Sequence, residues 1–352
     1  MPDLIKISGK HFIGEDKPCL IIAEISANHG QNFKKAINMI KEAKRCGVDA
    51  VKFQAYMPAT ITLDIKNRYF KSRHPKWSGQ TLYQLYKKAY TPWSWFKKLK
   101  KIADDLGIIF FATAFDKDAV DLLEGLRVPI HKIASFELVD LPLIEYAAKT
   151  KKPLILSTGM ATVSEMKEAV ITAKKAGAKD IALLRCVSSY PARPEDMNLV
   201  TILDMKRRFN CAVGLSDHTL GIAVSVAAVS LGARVIEKHF TLSRKIKTPD
   251  NFFSIEPQEL KDLVKNIRMV EKAVGKVYYG LRAGEKESRM YRRSLFVVKD
   301  MKKGDFFTEE NIRSIRPGYG LLPKYLRNII GRKALKDIKI GMPLKWGLIS
   351  NV

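Results

Sequence analysis

Gly214-Leu215-Ser216-Asp217-His218-Thr219 and Val235-Ile236-Glu237-Lys238-His239-Phe240 are two short apolar runs that each lead into a histidine, with a helical pattern between them. Read as successive parallel strands, they bring His218 and His239 to one mouth of a barrel. Two neutral imidazoles there can hold a divalent metal, with Glu237 close by. Outward from this pair the same unit repeats along the chain. Strand candidates fall at 19–26, 50–54, 108–115, 130–135, 153–159, 181–187, 212–217 and 235–240. Helical patterns open near Phe33, Ser94, Lys117, Leu141, Thr162, Thr201, Ile222 and Pro257. Eight strands each followed by a helix is the count that closes a parallel barrel, and near-continuous apolar strands fit a sheet buried on both faces. Thr162 and Glu165 make a capping box, and Gly177 follows the last turn of that helix. The fold class is α/β, a (β/α)8 TIM barrel.

Two segments break the rhythm. Residues 57–92 hold Trp77, Tyr83, Tyr86 and Tyr90, the composition of a structured insertion over the mouth. Residues 243–254 follow the eighth strand and are polar, with Pro249-Asp250-Asn251 at their centre. After about Gly280 the pattern changes to short strands and glycine turns. The expected division is a barrel domain at 1–280, a charged linker at 281–293 and a small β-rich domain at 294–352. A domain that small buries little by itself, so it is expected to dock on the barrel or on a partner subunit.

The 352 residues are 46% apolar, enough for a full core. Met1-Pro2-Asp3-Leu4 leads directly into folded-looking sequence, with no signal peptide and no run of 18 apolar residues. A soluble, cytoplasmic protein with no membrane contact is expected. Cys19, Cys46, Cys186 and Cys211 lack metal-finger spacing, and three of them sit in or beside apolar strand-like runs, where a free thiol acts as a small hydrophobe. The formal charge of +26 is spread over the whole chain: residues 281–352 carry 17 Lys and Arg against 7 Asp and Glu. No nucleic-acid-binding signature accompanies it, so it reads as a lysine-rich solvated surface that also attracts anions.

Catalytic groups of parallel barrels sit at the carboxyl ends of the strands. Those ends carry Glu24 with Asn28 and His29, Lys52 and Gln54, Thr113, Lys132 with Ser135 and Glu137, and Ser157. Ser188 and Tyr190, Ser216 with His218, and Glu237 with His239 complete the set. Lysines inside apolar strands must find an anion or shift their pKa, and here they either grip a ligand or pair with a carboxylate such as Glu24. Hydroxyls, lysines and histidines in this pattern suit an anionic, phosphorylated ligand with a metal beside it. His11, His74 and His131 lack such clustering.

The segments Ala23-Glu24-Ile25-Ser26-Ala27-Asn28-His29, Val51-Lys52-Phe53-Gln54, Lys132-Ile133-Ala134-Ser135 and Ser157-Thr158-Gly159-Met160, with the two histidine segments, strongly resemble the sialic acid synthase family. Arg316-Pro317-Gly318-Tyr319-Gly320 resembles the family's C-terminal antifreeze-like (SAF) domain, and the likeness runs in order through nearly the whole chain. Trp77 to Tyr83, Thr91-Pro92-Trp93 and Ser135 to Pro142 resemble one branch of it.

The resemblance implies a transferase joining phosphoenolpyruvate to the aldehyde of an N-acetylated amino sugar. Lys52, Thr113, Lys132, Ser135, Ser157, Ser188 and Ser216 are then the anion contacts. A Mn²⁺ or Mg²⁺ ion on His218 and His239 would polarise the aldehyde. Glu24 is implied in water positioning or proton transfer. Asn28, Gln54, Glu137, Tyr190, Glu237 and Asp250 are implied at the substrates. A domain-swapped homodimer is implied as well, with Arg316 reaching the other subunit's sugar. Two departures stand out: Thr248-Pro249-Asp250 replaces the usual Gly-Pro-Asp, implying altered lid mobility, and Ser188 stands where Asn is common. Two other readings stay open: a Schiff-base aldolase using Lys52 or Lys132, and a non-catalytic binder of anionic surfaces.

Overall fold

The computed structural model describes residues 4–9, 11–73 and 75–351, so Met1–Asp3 and His74 lie outside the described residues. The chain divides into two compact units, Met1–Gly275 and Lys276–Val352. In the first, β1 (Ile5–Ser8) and β2 (His11–Ile13) form an antiparallel hairpin ahead of the barrel. Eight parallel strands then close on themselves in chain order. They are β3 (Leu20–Glu24), β4 (Ala50–Ala55), β5 (Ile109–Ala114), β6 (His131–Ile133), β7 (Leu154–Ser157), β8 (Ile181–Cys186), β9 (Ala212–Asp217) and β10 (Val235–His239). The TIM barrel read from the sequence is the fold.

The helices begin where the capping chemistry places them. Asn32 accepts from Lys35 N at the head of Phe33–Cys46, and Asp116 accepts from Ala119 N ahead of Lys117–Gly125. The Thr162–Glu165 box opens Val163–Lys175, and Gly177 beyond its end takes a positive φ of 107°. Strands and helices share one core in which Phe53, Phe96, Phe110 and Phe111 are fully buried. Because successive side chains of a strand point to opposite faces, alternate residues enter the barrel lumen.

The insertion between β4 and the helix Trp93–Asp105 contains two short helices, Pro58–Ile61 and Leu82–Ala89. The loop after β10 carries a single turn at Asn251–Phe253. In the second unit, β11 (Ser294–Val297) pairs antiparallel with β12 (Ile312–Ile315). Leu295, Val297, Phe307, Ile312 and Leu344 form a core separate from that of the barrel. Among the described residues no helix is long and apolar enough to cross a membrane.

Gly214 in β9 shows how tightly the last strands pack. A Cβ there would meet the Val235 carbonyl oxygen, and would lie 2.6 Å from Leu184 Cδ2 and 2.8 Å from Val235 Cβ. Gly214→Ala should therefore destabilise the barrel by about 1–3 kcal/mol, the usual cost of overpacking a rigid core. Urea unfolding checks this value.

Candidate active site

Alternation along the strands brings Lys52, Lys132 and Glu237 into the lumen, where all three are buried. Lys52 Nζ pairs with Glu24, lies 3.6 Å from Glu237 Oε1 and donates to Thr113 Oγ1 at 2.8 Å. Lys132 Nζ donates to Ser157 Oγ at 2.7 Å and to the Ile133 carbonyl at 3.2 Å, and lies 3.8 Å from Glu237 Oε1. Ser216 Oγ donates to that same Glu237 oxygen at 3.2 Å. Glu237 is thus a carboxylate shared between two ammonium groups, and its Oε2 has no hydrogen-bond partner.

The charges shift one another. Burial alone would raise the Glu237 pKa, but Lys132 and Lys52 outweigh it and hold the group ionised. Glu24 goes the other way, pushed up by burial and by the nearby Glu237 charge, against the pull of Lys52. Lys132 is lowered by burial, whereas burial of Lys52 is outweighed by Glu237 and Glu24. With its pKa pushed up to about 7, Glu24 is in part ionised against Lys52 and in part protonated, and the protonated form leaves two cations facing the Glu237 carboxylate. That balance suits an incoming anion.

These groups line an inner cavity of about 380 Å³, together with Gln54, Ser135, Tyr190 and both histidines. Beside it, Ser135 Oγ accepts from Gly159 N at 3.0 Å. A Cβ on residue 159 would run into Ser188 Oγ and sit 2.8 Å from Ser135 Oγ, so glycine is what lets both hydroxyls converge. Ser188 Oγ is buried without a hydrogen-bond partner.

His218 and His239 face each other with ring centroids 5.3 Å apart. His218 Nδ1 lies 2.8 Å from the Val187 carbonyl, which fixes the proton on Nδ1 and leaves Nε2 as a lone-pair donor. Burial holds His239 well below its usual pKa, helped by His218 and Lys52, so this imidazole is neutral, and its Nδ1 makes no hydrogen bond, with Asp250 Oδ2 3.9 Å away. Tyr190 and Phe253 wall the pair at 4.4 Å from His218 and 4.8 Å from His239. At His218 burial is outweighed by Cys186 and the Val187 carbonyl, which raise its pKa, so a divalent cation would bind between the two rings in place of its titrating proton. Among the described residues no group of three or more His, Cys, Asp or Glu side chains could hold one, so the protein offers this pair alone.

A second cavity of about 1410 Å³ opens above the first and shares Gln54, Phe136, Tyr190 and His239 with it. A third of its lining residues are aromatic, and Tyr56 packs on Phe115 at 5.1 Å and on Tyr86 at 5.7 Å. Trp77 and Arg73 from the insertion also line it, as do Glu137, Asp250 and Phe253. Asp250 accepts from Ser26 Oγ and from Ala27 N, and Trp77 Nε1 donates to the Pro249 carbonyl at 3.0 Å.

Several residues fall elsewhere than the sequence suggested. Asn28 lines neither cavity, because its amide donates to the Phe240 carbonyl and Ser254 Oγ while its oxygen accepts from Thr248 Oγ1 at 2.7 Å. His29 binds Thr91 Oγ1 and Gln31 N, and Tyr83 lines neither cavity. Arg316 lies in the C-terminal unit, exposed after β12. Conversely, Cys186 and Tyr56 are lining residues that the sequence reading passed over. Period-two counting from Lys52 through Gln54 would have reached Tyr56. The Cys186 thiol lies 3.9 Å from His218 Nδ1 and is drawn down to about 7, burial being outweighed by His218, Ser135 and Lys132.

Residues 39–279 match the NeuB family and residues 292–350 match the SAF domain. The chain belongs to the NeuB family. It is 42% identical to pseudaminic acid synthase of Campylobacter jejuni over 94% of its length and 97% of the relative's. It is 36% identical to N,N'-diacetyllegionaminic acid synthase of Legionella pneumophila, with 97% of each chain covered. Among solved structures, the N-acetylneuraminic acid synthetase of Leptospira borgpetersenii in complex with citrate superposes with a TM-score of 0.74 at 36% identity. That match covers 83% of this NeuB-family chain and 97% of the other.

Glu137 gives the site a pH signature. Burial, partly opposed by Lys132, pushes its carboxyl up to about 7 from an ordinary 4.5. The folded state then holds a proton that the unfolded chain releases, so stability falls as pH rises between those two values. Glu137→Gln should remove that fall and stabilise the protein at pH above 7 by about 1–3 kcal/mol, read from urea unfolding at pH 5 and 8.

Proposed function

We propose that the chain acts as a pseudaminic acid synthase, condensing phosphoenolpyruvate with 2,4-diacetamido-2,4,6-trideoxy-L-altrose to give pseudaminic acid and phosphate. The carrying observation is the pair of joined cavities, a cationic inner one opening into an aromatic outer one. The inner cavity suits phosphoenolpyruvate: Lys52, Lys132, Thr113, Ser135, Ser157 and Ser216 surround a space whose one obligate carboxylate is Glu237. The outer cavity suits a sugar poor in hydroxyls, with Tyr56, Phe115 and Leu85 against its methyl groups and Glu137, Asp250 and Arg73 for its polar edges. Relatives from Campylobacter jejuni and Helicobacter pylori, each 42% identical, bear the name of this activity.

In the reaction, C3 of phosphoenolpyruvate attacks the aldehyde carbon of the open-chain sugar. Water adds at C2 of the resulting oxocarbenium ion, and the hemiketal then passes its hydroxyl proton to the departing phosphate as the C2 ketone forms and the C2–O(P) bond breaks. His218 and His239 would hold a Mn²⁺ or Mg²⁺ ion, which supplies Lewis-acid polarisation of the aldehyde when bound. Glu24, neutral when the site is ready, gives its proton to the new alkoxide and then takes one from the attacking water, so the proton count closes. Lys52 and Lys132 hold the phosphate and carboxylate against their own repulsion. Tyr190 and Phe253 keep bulk water from the histidines.

Phosphate release from phosphoenolpyruvate is expected only when sugar and divalent metal are both present, and His239→Ala should lower it by at least a hundredfold. Kinetics with the trideoxy diacetamido sugar and with N-acetylmannosamine should favour the former, while a clear preference for the latter would move the chain to another branch of the family. Borohydride should trap no adduct on Lys52 or Lys132, which separates this reaction from a Schiff-base aldolase. The reading extends to a homodimer in which Arg316 of one protomer meets the sugar bound by the other. Inactive His239→Ala and Arg316→Ala proteins should then recover activity when unfolded and refolded together.

A further inference from the structure

One buried ion pair beside the histidines plays no part in the chemistry above. In the register of β9 on β10, Ser216 stands opposite Glu237 and Asp217 opposite Lys238. Alternation turns Ser216 and Glu237 into the lumen, where they line the inner cavity, and sends Asp217 and Lys238 to the outer face. There both are buried, each 1% exposed.

Three of this pair's bonds converge on Thr219, in the loop that carries His218. Lys238 Nζ donates to Asp217 Oδ2 at 2.8 Å and to the Thr219 carbonyl at 2.7 Å. Asp217 Oδ1 accepts from Thr219 N at 2.8 Å and Thr219 Oγ1 at 2.7 Å. Ser225 Oγ, on the helix Ala223–Ser230, donates to Asp217 Oδ2 at 2.6 Å. The residues before and after His218 are thus both tied to the residue before His239.

Removing two charges from water costs about as much as their attraction returns, so a buried pair adds little net stability and its use is better sought in register. We propose that Asp217 and Lys238 are positioning residues that set His218 against His239 and thereby fix the affinity of the histidine pair for a divalent cation. This rests on the reading of those histidines as metal ligands. The pair works through the backbone of both strands, which is why its charges can lie outside the lumen.

The test titrates the full-length protein with MnCl₂ and follows free Mn²⁺ by electron paramagnetic resonance, well below the melting temperature. Asp217→Asn and Lys238→Met should each weaken Mn²⁺ binding about tenfold or more, the loss typical of groups that orient metal ligands. The double variant should bind about as weakly as either single one, because the two act as a unit. Arg268→Met is the control. Arg268 bridges Asp49 and Glu271 at the other end of the barrel, at 2.8 Å and 3.0 Å, and its loss should lower the melting temperature without changing Mn²⁺ affinity. Ser225→Ala keeps both charges and removes one bond to Asp217, so it serves if Asp217→Asn does not fold, and should weaken Mn²⁺ binding severalfold. Folded Asp217→Asn or Ser225→Ala that binds Mn²⁺ as tightly as the wild type overturns the proposal. A wild-type protein that binds no Mn²⁺ removes the metal reading itself, and this inference with it.

Discussion

Lys52 and Lys132 carry two positive charges into a lumen built from apolar strands, and the carboxylate of Glu237 stands between them. Much of the site follows from that constraint. An isolated buried ammonium would lose its proton or unfold its surroundings. Thr113 and Ser157 accept hydrogen bonds from these lysines, and Glu24 stands closer to Lys52 than Glu237 does. Each lysine has partners within the cluster, but Glu237 Oε2 is left without a hydrogen bond, and a protonated Glu24 leaves the cluster short of negative charge. An anion entering the cavity completes the electrostatics.

Most of the fold was legible because parallel barrel strands are continuous apolar runs and their helices carry explicit caps. Leu20–Glu24 and Val235–His239 stand within a residue or two of where hydropathy placed them. The strand around Lys132 is the shortest departure, with only His131–Ile133 paired, because the chain turns at once into Ser135–Glu137. In the site, residues in phase with a strand were readable: Lys52, Thr113, Lys132, Ser157, Ser216, Glu237 and His239 all line the inner cavity. Asn28 was not, because it lies on a 3-10 turn where the alternation no longer applies, and its amide is consumed by the β10 loop. The outer cavity was the least legible. Its walls come from strand ends, the insertion and the loop after β10, which no single periodicity joins.

The strands also divide labour between their two faces. Ser216, His218, Glu237 and His239 face the cavity, while Asp217 and Lys238 lock the same residues from behind. Chemistry and support therefore interleave residue by residue, and neighbouring positions in the sequence answer to different physical demands.

The hydrogen bond from Trp77 Nε1 to the Pro249 carbonyl joins the insertion to the loop after β10, two covers contributed by segments 172 residues apart. Thr248 ties that loop in turn to Asn28. Either cover lifts only by breaking one of these hydrogen bonds or by carrying its partner with it. The indole sits at the joint, and with Trp93, Trp95 and Trp346 replaced its emission would report on that one bond.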